Sequence, residues 1–519
     1  MNQRYAEAEK ALAEGSRPVW LCTIRLPDGR YIRAASRPIS ISTDWAPADG
    51  PYQYGPYFTG VDEFEEELEV FALDGSASMT QATIELVTTE DLAALQGAWW
   101  HVAAARVEIA LIWPNQTWEQ RSRLLGNATI QGAAFGEVNE PTVFTLEATP
   151  PATSASVGDD SRDLGEDYSA PVDTAAATLS SLEGRKYQWV VGDPESVPGY
   201  KVGEIGGSGL NRLILAGHHF TRAGGATPTV QVYEDSVAVG GPMNVTNGSN
   251  SSGRIAYVEH AGRFRAADGA YTYKVVNGAI AAADDITRPA LQAEGCMRRL
   301  LTDSGVLVDW RSMERTLQML MGWRIGFYLD EEDAAIDVIR DKIVPYLPLI
   351  EVQGDEGLYF FYVDVDRAPI EVDLIAGQQL IGRIGGIETS DLAEIRNAFV
   401  MNYSEEVFAD ELTASVALDD TSSALCALSQ QLLEDPRIPG SGVRPEEPID
   451  CPVIWDEKTA RRALHARAAR LALPRRIVRY QAAPDMYPLR GGTIARLTDG
   501  TRISRQRSVI TAISRSVSP

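Results

Sequence analysis

Cysteine is scarce in this chain, and the few cysteines present lack metal-binding spacing. The four residues, Cys22, Cys296, Cys426 and Cys451, lie far apart, and no C-x-x-C pair occurs among them. Small secreted domains depend on dense disulfides, and structural zinc sites need closely spaced ligands. The spacing therefore argues against a disulfide framework and against a zinc site, and it predicts four buried thiols.

Long apolar runs are also missing. The most apolar stretch, residues 99–113, is interrupted by His101, Arg106 and Glu108, whereas a membrane-spanning helix needs about 20 predominantly apolar residues. The first 15 residues are charged and contain no apolar core of the kind that a secretory signal peptide requires. These absences predict a protein that assembles in a reducing cytosol without inserting into a membrane.

Histidine is rare, and no catalytic constellation accompanies it. None of the five histidines has a partner at metal-binding spacing, and neither H-E-x-x-H nor G-x-S-x-G occurs. His218 and His219 are adjacent in an apolar strand, where their side chains point to opposite faces, so a structural role is favoured. Asp364 and Asp366 share a strand face, which suits a paired-carboxylate or cation site, although solvated carboxylates are the commoner outcome. The sequence supports no enzyme, metal or cofactor assignment.

Charge is abundant but unevenly distributed. With 72 Asp and Glu against 47 Lys and Arg, the formal net charge at pH 7 is -25. From Cys451 onward, 14 Lys and Arg face 4 Asp and Glu, so that segment is near +10 and the remainder near -35. The total argues against a generic nucleic-acid binder and suits a soluble component of a larger particle. The 519 residues, 44% of them hydrophobic, are enough for several domains with substantial cores.

Period-two alternation dominates residues 18–149. Ala82, Ile84 and Leu86 alternate with other residues in the manner typical of a strand with one buried face. The tripeptide P-D-G at residues 27–29 separates two strand-like runs and predicts a hairpin, because glycine adopts positive φ without steric cost. This part of the chain predicts a barrel or a sandwich.

A connector and a small all-β domain are predicted next. Residues 149–178 are rich in Ser, Asp, Pro and Ala, which is typical of a long arm laid over a neighbouring surface or of a disordered loop. Strand-like runs such as LILAGHHF and VQVYEDSV then follow between Lys186 and Ile280. Their spacing predicts a domain of hairpins.

Helical periodicity begins only after Asp285. Ile336, Ile339 and Ile343 fall on one stripe and predict an amphipathic helix. The strand-like run LYFFYVDVD follows it. Together they predict an α+β domain in which the strand packs on such helices.

A basic helix and the strand after it dominate the charge of the C-terminal segment. The helix is predicted from Asp456 to about Leu473, with Leu464, Ala468 and Leu471 facing inward. Arginines on its other faces and on the following strand form a predicted basic patch. Such a patch meets either a phosphate backbone or the acidic surface of another subunit, and a chain this acidic favours the subunit. The patch comprises Arg461, Arg462, Arg467, Arg470, Arg475, Arg476 and Arg479.

The order of these motifs resembles that of a known family. Along the chain come LILAGHHF, VQVYEDSV, TLQMLMGWRIGFYLDEED, LYFFYVDVD, EIRNAFVMNYSEE, LDDTSSA, LPRRIVRY and PLRGGTIARLTD. This succession, from about Leu210 to Asp499, is similar to that of the tail hub or baseplate hub proteins of long-tailed bacteriophages and related gene transfer agents. The N-terminal β segment is compatible with the resemblance.

The resemblance implies a multidomain, mainly β fold with an α+β part, in which each subunit has two tail-tube-like β-barrels and further inserted domains. The implied divisions are residues 1–150 for the N-terminal barrel, 151–185 for the connector or arm, 186–284 for the inserted all-β domain, 285–376 for the inserted α+β domain, and 377–519 for the second barrel with the basic helix.

It also implies a non-enzymatic structural role at the tail tip or baseplate of a siphophage-type virion. Three copies of such a hub form a ring whose six barrels match the sixfold tube, while the threefold symmetry suits a central fibre or spike. The implied partners are further copies in a homotrimer, the distal tail protein, the tail tube, the tape measure protein and the fibre or spike, with transient passage of DNA. Some family members carry an iron-sulfur cluster in a cysteine-bearing accessory domain, but the unclustered cysteines here do not match it, so no cofactor is expected.

Two other functions stay open from the sequence. A tail-associated cell-wall hydrolase would use Asp364 and Asp366, or His218, as active groups. A carbohydrate-binding adhesin would be built on the middle β domain, where aromatic residues such as Tyr271 and Tyr273 occur without an obvious tryptophan platform.

Overall fold

Strands with alternating burial make the chain mainly β, as predicted. In the computed structural model, Ala82, Ile84 and Leu86 are buried, whereas Glu85 between them is exposed. Pleating places successive side chains on opposite faces, so this pattern gives the sheet one apolar face. The structure describes residues 17–42, 51–68, 77–79, 82–96, 102, 105–114, 116–148, 155–157, 187–192, 194, 196–204, 211–221, 228–235, 237–249, 254–260, 271–275, 281–282, 293–329, 331, 333–354, 357–363, 368–406, 411–434, 442–483, 486, 489, 491–500 and 503–517.

The described residues of the N-terminal part form ten strands and one short helix. They are β1 (Val19–Arg25), β2 (Tyr31–Ala35), β3 (Ile39–Ile41), β4 (Tyr52–Tyr54), β5 (Phe58–Leu68), β6 (Ala77–Met79), β7 (Ala82–Val87), α1 (Glu90–Ala94), β8 (Arg106–Ile112), β9 (Ser122–Ala134) and β10 (Pro141–Ala148).

The predicted hairpin at residues 27–29 is confirmed. β1 and β2 pair antiparallel, and the Leu26 amide donates to the Arg30 carbonyl at 2.9 Å. Gly29 has a φ of 88°, in the left-handed region that L side chains rarely adopt. Glycine is therefore required at this turn for a steric reason.

The N-terminal sheet has nine strands and curls back on itself. Its order is β2-β1-β8-β9-β10-β7-β5-β35, where β35 is Ala512–Val517, and β6 also pairs with β5. In a flat sheet β1 and β5 would lie about 24 Å apart, because neighbouring strands are spaced by about 4.8 Å. They contact each other instead, and one core includes Trp20 and Ile24 of β1 together with Phe58 and Val61 of β5. The sheet therefore closes around its core in the manner of a barrel wall.

The middle part consists of strands in its described residues. The strands are β11 (Ser156–Val157), β12 (Trp189–Gly192), β13 (Val197–Glu204), β14 (Asn211–Ala216), β15 (Phe220–Thr221), β16 (Thr229–Glu234), β17 (Val237–Ala238), β18 (Met243–Asn244), β19 (Thr246–Ser249), β20 (Arg254–His260), β21 (Tyr271–Val275) and β22 (Ala281–Ala282). The main sheet is antiparallel, in the order β17-β16-β21-β13-β14-β20-β19, with β18 also paired to β16. Its core includes the buried rings of Phe220, Tyr271 and Tyr273.

Helices and strands alternate in the described residues from 293 onward. They are α2 (Ala293–Asp303), α3 (Trp310–Leu320), β23 (Gly326–Leu329), β24 (Asp333–Ala334), α4 (Ala335–Lys342), β25 (Leu349–Gly354), β26 (Gly357–Tyr362), β27 (Val372–Ile375), β28 (Leu380–Thr389), β29 (Phe399–Glu406), β30 (Glu411–Leu418), α5 (Ala424–Leu433), β31 (Ile449–Cys451), α6 (Glu457–Leu471), β32 (Arg476–Ala482), β33 (Ile494–Asp499) and β34 (Ile503–Val509).

The predicted amphipathic helix and the strand after it are confirmed. Ile336 and Ile339 of α4, and Ile343 just beyond its end, are buried. Every residue of β26 is buried as well, and β26 contacts α3. Helices and strands therefore share the largest core of the chain.

Residues 377–519 divide between two cores. β29, β30, β31, α5 and α6 pack into the large α+β core, because the apolar stripe of α6 faces β29 and β30. β28, β32, β33 and β34, together with β27 just before residue 377, surround a separate core that includes Leu374 and Leu497. Where the sequence predicted one barrel, the structure therefore has five strands in two small sheets, β27-β33-β34 and β28-β32. The domain boundaries themselves stay a prediction.

β35 joins the N-terminal and C-terminal strands. It pairs antiparallel with β5, with Ile513 opposite Glu66, while the Ile513 side chain packs against the core of the C-terminal strands. Only Ile510 and Thr511 separate β34 from β35. The Ile510 amide donates to the Thr493 carbonyl at 3.0 Å, which fixes this short connection. One strand thus belongs to one sheet and packs on the core of another.

No helix in the described part of the chain is long and apolar enough to cross a membrane.

The position of Ile513 generates a first prediction. We expect Ile513→Asp to lower the free energy of unfolding by about 1–3 kcal/mol, because a carboxylate replaces an apolar side chain at a core. Amide hydrogen exchange should then accelerate in β5 and β33 together. Ile513→Val is the matched control and should leave both strands protected. Acceleration in β33 alone would contradict a coupling through β35.

Candidate functional site

The predicted basic helix is confirmed, and its N-terminal cap explains where it begins. The Asp456 carboxylate accepts a hydrogen bond from the Thr459 amide at 3.0 Å and another from the Thr459 hydroxyl at 2.6 Å. Such a cap satisfies an amide that has no partner within the helix. Leu464, Ala468 and Leu471 are buried, as predicted.

Two of the predicted patch arginines lie on the first two turns of α6. Arg461 pairs with Glu457 at 2.7 Å, and both side chains are exposed. The Arg462 guanidinium lies 4.3 Å from the ring centroid of the buried Trp323. It also donates to the Met319 carbonyl at 3.4 Å. Arg462 therefore fastens α6 to the end of α3.

Arg467 forms the most buried ion pair of the patch. Its Nε lies 2.8 Å from each carboxylate oxygen of Glu446, and only 16% and 8% of the two side chains are exposed. Water screens such a pair weakly, and each charge needs the other to compensate its desolvation. The pair holds the segment before β31 against α6.

Arg470 and Arg475 lie together at the end of α6. The Arg475 Nε donates to the Arg470 carbonyl at 3.0 Å, and the Arg475 amide donates to the Ser390 hydroxyl at 3.0 Å. Burial, with Arg467 and Arg475 nearby, lowers the pKa of Arg470 to about 10, so the guanidinium stays charged at pH 7. Arg475 therefore links the end of α6 to the segment that follows β28.

Arg476 and Arg479 lie apart from the others, on β32. Both are exposed, and Arg479 pairs with Glu388 of β28 at 2.5 Å. The patch is therefore not one continuous cationic track. Four of its members, Arg462, Arg467, Arg470 and Arg475, make internal contacts, and the outward charge is concentrated on β32. Its role as an interface or as a surface for nucleic acid stays a prediction.

Exposed isoleucines on the pair β28–β32 are a feature that sequence reasoning missed. β28 and β32 form a two-stranded antiparallel sheet, named here the ribbon. Ile381, Ile384 and Ile477 are 59%, 58% and 39% exposed. Large apolar side chains of this exposure, grouped on one small sheet, are typical of interaction surfaces. The available signal was the run LIGRIGGIET, in which glycines replace the polar residues that normally alternate with apolar ones in a surface strand.

An aromatic and arginine cluster on the N-terminal sheet was also missed. The Arg33 guanidinium lies 4.9 Å from the Tyr31 ring centroid and 4.7 Å from that of Tyr52. The Trp118 ring lies 5.0 Å from Tyr52, and the Arg121 guanidinium covers Trp118 at 3.7 Å. Because guanidinium groups occupy ring faces, the cluster joins the β3–β4 hairpin to the sheet and offers no open tryptophan platform.

His218, the candidate group of the hydrolase hypothesis, is engaged on both ring nitrogens. Its Nε2 accepts from the Val190 amide at 3.0 Å, so its Nδ1 carries the proton and donates to the His219 carbonyl at 3.0 Å. Burial lowers the pKa of His218 to about 4. A neutral imidazole with a hydrogen bond at each ring nitrogen has a structural role, which is the role that the sequence favoured for His218. Asp364 and Asp366 lie outside the described residues.

The four cysteines are buried free thiols, as predicted. Burial raises the pKa of Cys296 and of Cys451 to about 12. Since the thiolate is the nucleophile and the metal ligand, these thiols are unreactive at neutral pH. In the described part of the chain, no group of three or more His, Cys, Asp and Glu side chains is placed to hold a metal ion.

Comparisons with known proteins show little sequence similarity. No family model matches the chain, and no curated protein matches it. Among solved structures, it is similar to a chain of the virion of a native gene transfer agent particle, with 11% sequence identity and a TM-score of 0.19. The match covers 54% of this chain and 84% of that chain. At that TM-score the two chains do not superpose as whole folds.

His218 predicts a pH dependence. Because its folded pKa is lowered from 6.5 to about 4, its stabilising effect is complete above pH 6.5 and is lost as the pH falls toward 4, by up to about 3 kcal/mol. Protonation of Nε2 also breaks the bond from the Val190 amide. We expect hydrogen exchange of that amide, corrected for intrinsic rates, to accelerate over this range. His218→Gln should remove the pH response and His219→Gln should keep it; an equal response in both variants would contradict the assignment.

Arg467 predicts a loss of stability. Arg467→Ala leaves the Glu446 carboxylate buried without its partner, and we expect the free energy of unfolding to fall by about 3 kcal/mol. Urea titration measures the change. Arg461→Ala, which breaks an exposed pair on the same helix, should cost about 0.5 kcal/mol or less. Equal losses in the two variants would show that the Arg467 pair is not structural.

Proposed function

We propose that this chain is a tail hub, or baseplate hub, subunit of a phage-type tail. In this role it is a non-enzymatic structural protein of the virion that assembles as a homotrimer. The ring joins the sixfold tail tube and distal tail ring to a threefold central fibre or spike, and it forms the channel through which DNA is ejected. The order of motifs between Leu210 and Asp499 supports the family resemblance.

The observation that carries the proposal is the pairing of β35 with β5. A hub subunit has to present two β modules in fixed relative orientation, so that three chains imitate a ring of six. Here the N-terminal sheet is one module, and the five strands around the C-terminal core are the other. β35 pairs with the first and packs on the second. The second module is the smaller, and a neighbouring copy would complete it.

The charge distribution suits a conduit for DNA. A net charge of -25 repels the phosphate backbone and limits adhesion of the genome during passage. The arginines of α6 do not counter this effect, since four of the patch arginines make internal contacts. Symmetric assembly through large permanent interfaces, which typically bury more than about 2,000 Å², supplies the stability that a tail tip needs.

The proposed partners follow from the position in the tail. They are further copies of the chain, the distal tail protein, the tail tube, the tape measure protein, and the central fibre or spike. For the rival hydrolase, both nitrogens of the candidate His218 are occupied by structural hydrogen bonds, and Asp364 and Asp366 lie outside the described residues. The rival adhesin lacks an open aromatic platform there, since Tyr271 and Tyr273 are buried in the middle core.

The proposed function predicts the effect of removing the gene from a particle-producing host. Particles should then lack an attached tail tip and fail to deliver DNA, as judged by negative-stain microscopy and a transfer assay. Expression of the intact gene from a plasmid should restore both. The purified protein should have the native mass of a trimer. Normal, infectious particles without the protein, or a stable monomer with enzymatic turnover, would end the proposal.

A further inference from the structure

The first hairpin of the chain is basic, although the chain as a whole is acidic. Residues 17–42 contain five arginines and a single carboxylate, that of Asp28. β1 and β2 form this hairpin at the edge of the N-terminal sheet, because β2 is the first strand in the order of that sheet. The total charge of -25 therefore does not describe this part of the surface.

Three arginines share the outer face of the sheet at this edge, the face that points away from the N-terminal core. Ile24 of β1 lies in that core, so Arg25 beside it points outward. The register places Arg106 of β8 directly opposite Arg25, and Arg33 of β2 opposite Thr23. Directly opposed residues share a face, as do residues two apart on one strand. We name Arg25, Arg33 and Arg106 the cationic row.

The cationic row lacks a balancing negative charge. None of its three arginines forms an ion pair with a described residue. Glu108 shares the outer face, two residues from Arg106 along β8, but its carboxylate accepts two hydrogen bonds from Arg121, of 2.6 and 3.2 Å. Only 5% of the Arg121 side chain and 18% of the Glu108 side chain are exposed. Glu108 is therefore neutralised by Arg121, and the row keeps its three positive charges.

The direct opposition of Arg25 and Arg106 is unfavourable for the isolated sheet. Like charges directly opposite each other on neighbouring strands are destabilising. Both side chains are exposed, and no ion pair with a described carboxylate offsets the repulsion. Departures from such local rules are expected at functional sites. An anion bound between the two guanidinium groups would remove the repulsion.

The third member of the row, Arg33, is held in place by aromatic rings. Its guanidinium lies 4.9 Å from the ring centroid of Tyr31 and 4.7 Å from that of Tyr52. Contact with ring faces leaves the N–H groups at the edge of the guanidinium plane able to donate. That edge binds two oxygens of one phosphate at a time, which is why arginine is typical of phosphate recognition.

We propose that the cationic row binds the phosphate backbone of DNA, an inference that rests on the proposed DNA channel for the identity of the anion. The row crosses three neighbouring strands, β2, β1 and β8, and so extends over about 10 Å. Duplex DNA has one phosphate per about 3.4 Å along each strand, so about three phosphates fall within that length. Neutralised phosphates release counterions, and this release favours binding.

The acidic remainder of the chain limits the strength of this contact without preventing it. Glu147 lies on the same face, two strands beyond Arg106, because both residues are aligned with Thr129 of β9. That separation is about 10 Å, and salt at physiological ionic strength screens exposed charges beyond about 8 Å. A site of three arginines in an acidic protein is weak and sensitive to salt. It can guide DNA that passes without retaining it.

Binding of duplex DNA by the full-length protein tests the row. Fluorescence anisotropy of a labelled duplex of about 20 base pairs, at about 50 to 200 mM salt, gives Kd and the slope of log K against log salt concentration. Arg25→Gln/Arg106→Gln should weaken binding about tenfold or more at the lowest salt. It should also reduce the magnitude of the slope by about 2, because each lost phosphate contact removes about 0.9.

A matched control removes the same formal charge elsewhere. Arg299 and Arg340 are already paired with carboxylates, so Arg299→Gln/Arg340→Gln should leave the slope unchanged. Equal changes in the two double variants would show that only the total charge matters, and would overturn the site. In the absence of DNA, Arg25→Gln/Arg106→Gln should melt at the wild-type temperature or above it. A melting temperature lower by more than about 4 °C would show that these arginines are structural contacts and would also overturn it.

The native mass of the same samples separates this inference from the proposed hub. A trimeric wild type that does not bind the duplex would overturn the DNA site and leave the hub intact. A monomeric wild type whose DNA binding depends on the row would end the hub and support the site. If Arg25→Gln/Arg106→Gln is monomeric where the wild type is trimeric, and binds DNA as the wild type does, the row is a contact with an acidic surface of another subunit and the DNA site is overturned.

Discussion

The pairing of β35 with β5 is the constraint on which the architecture depends. Only Ile510 and Thr511 separate β34 from β35, and the backbone of Ile510 is hydrogen-bonded to Gly492 and Thr493, just before β33. The connection to β35 is therefore short and fixed. β35 pairs with the N-terminal sheet, while its Ile513 side chain packs on the C-terminal core. Residues far apart in the chain are therefore held in one unit. Such nonlocal pairing is entropically costly to form and gives a defined geometry once made.

The arginines of α6 and of the segment after it differ in role according to how far each is removed from water. On α6, the Arg462 guanidinium lies over the ring of the buried Trp323, and Arg467 forms an ion pair with Glu446. Arg475, just beyond the helix, donates a hydrogen bond to the carbonyl of Arg470 in the last turn. A charged group removed from water has to find partners, so these residues are committed to internal contacts. The arginines of β32, in contrast, remain exposed to solvent. Part of the charge of this basic segment thus contributes to internal cohesion.

The ribbon shows how apolar surface and marginal strand pairing act together. Ile381, Ile384 and Ile477 are exposed on it, and removal of such side chains from water stabilises any contact that covers them. A ribbon of two strands is marginal by itself. In the proposed assembly, a neighbour that covers the exposed isoleucines would therefore stabilise the smaller β module.

Local patterns in the sequence determined the elements of this protein. The alternation at Ile84, the glycine at position 29, the stripe at Ile336 and the start of the basic helix at Asp456 each depend on neighbours within a few residues, and each formed as predicted. Tertiary structure alone decided that residues 377–519 divide between two cores, that β35 pairs with β5, and that Arg467 faces Glu446. Those outcomes depend on which distant surfaces meet, and a periodicity shows that a side chain is buried without showing what covers it. The ribbon illustrates the same limit, because its isoleucines fit a core strand equally well in sequence, and only the fold shows that Ile381, Ile384 and Ile477 are exposed.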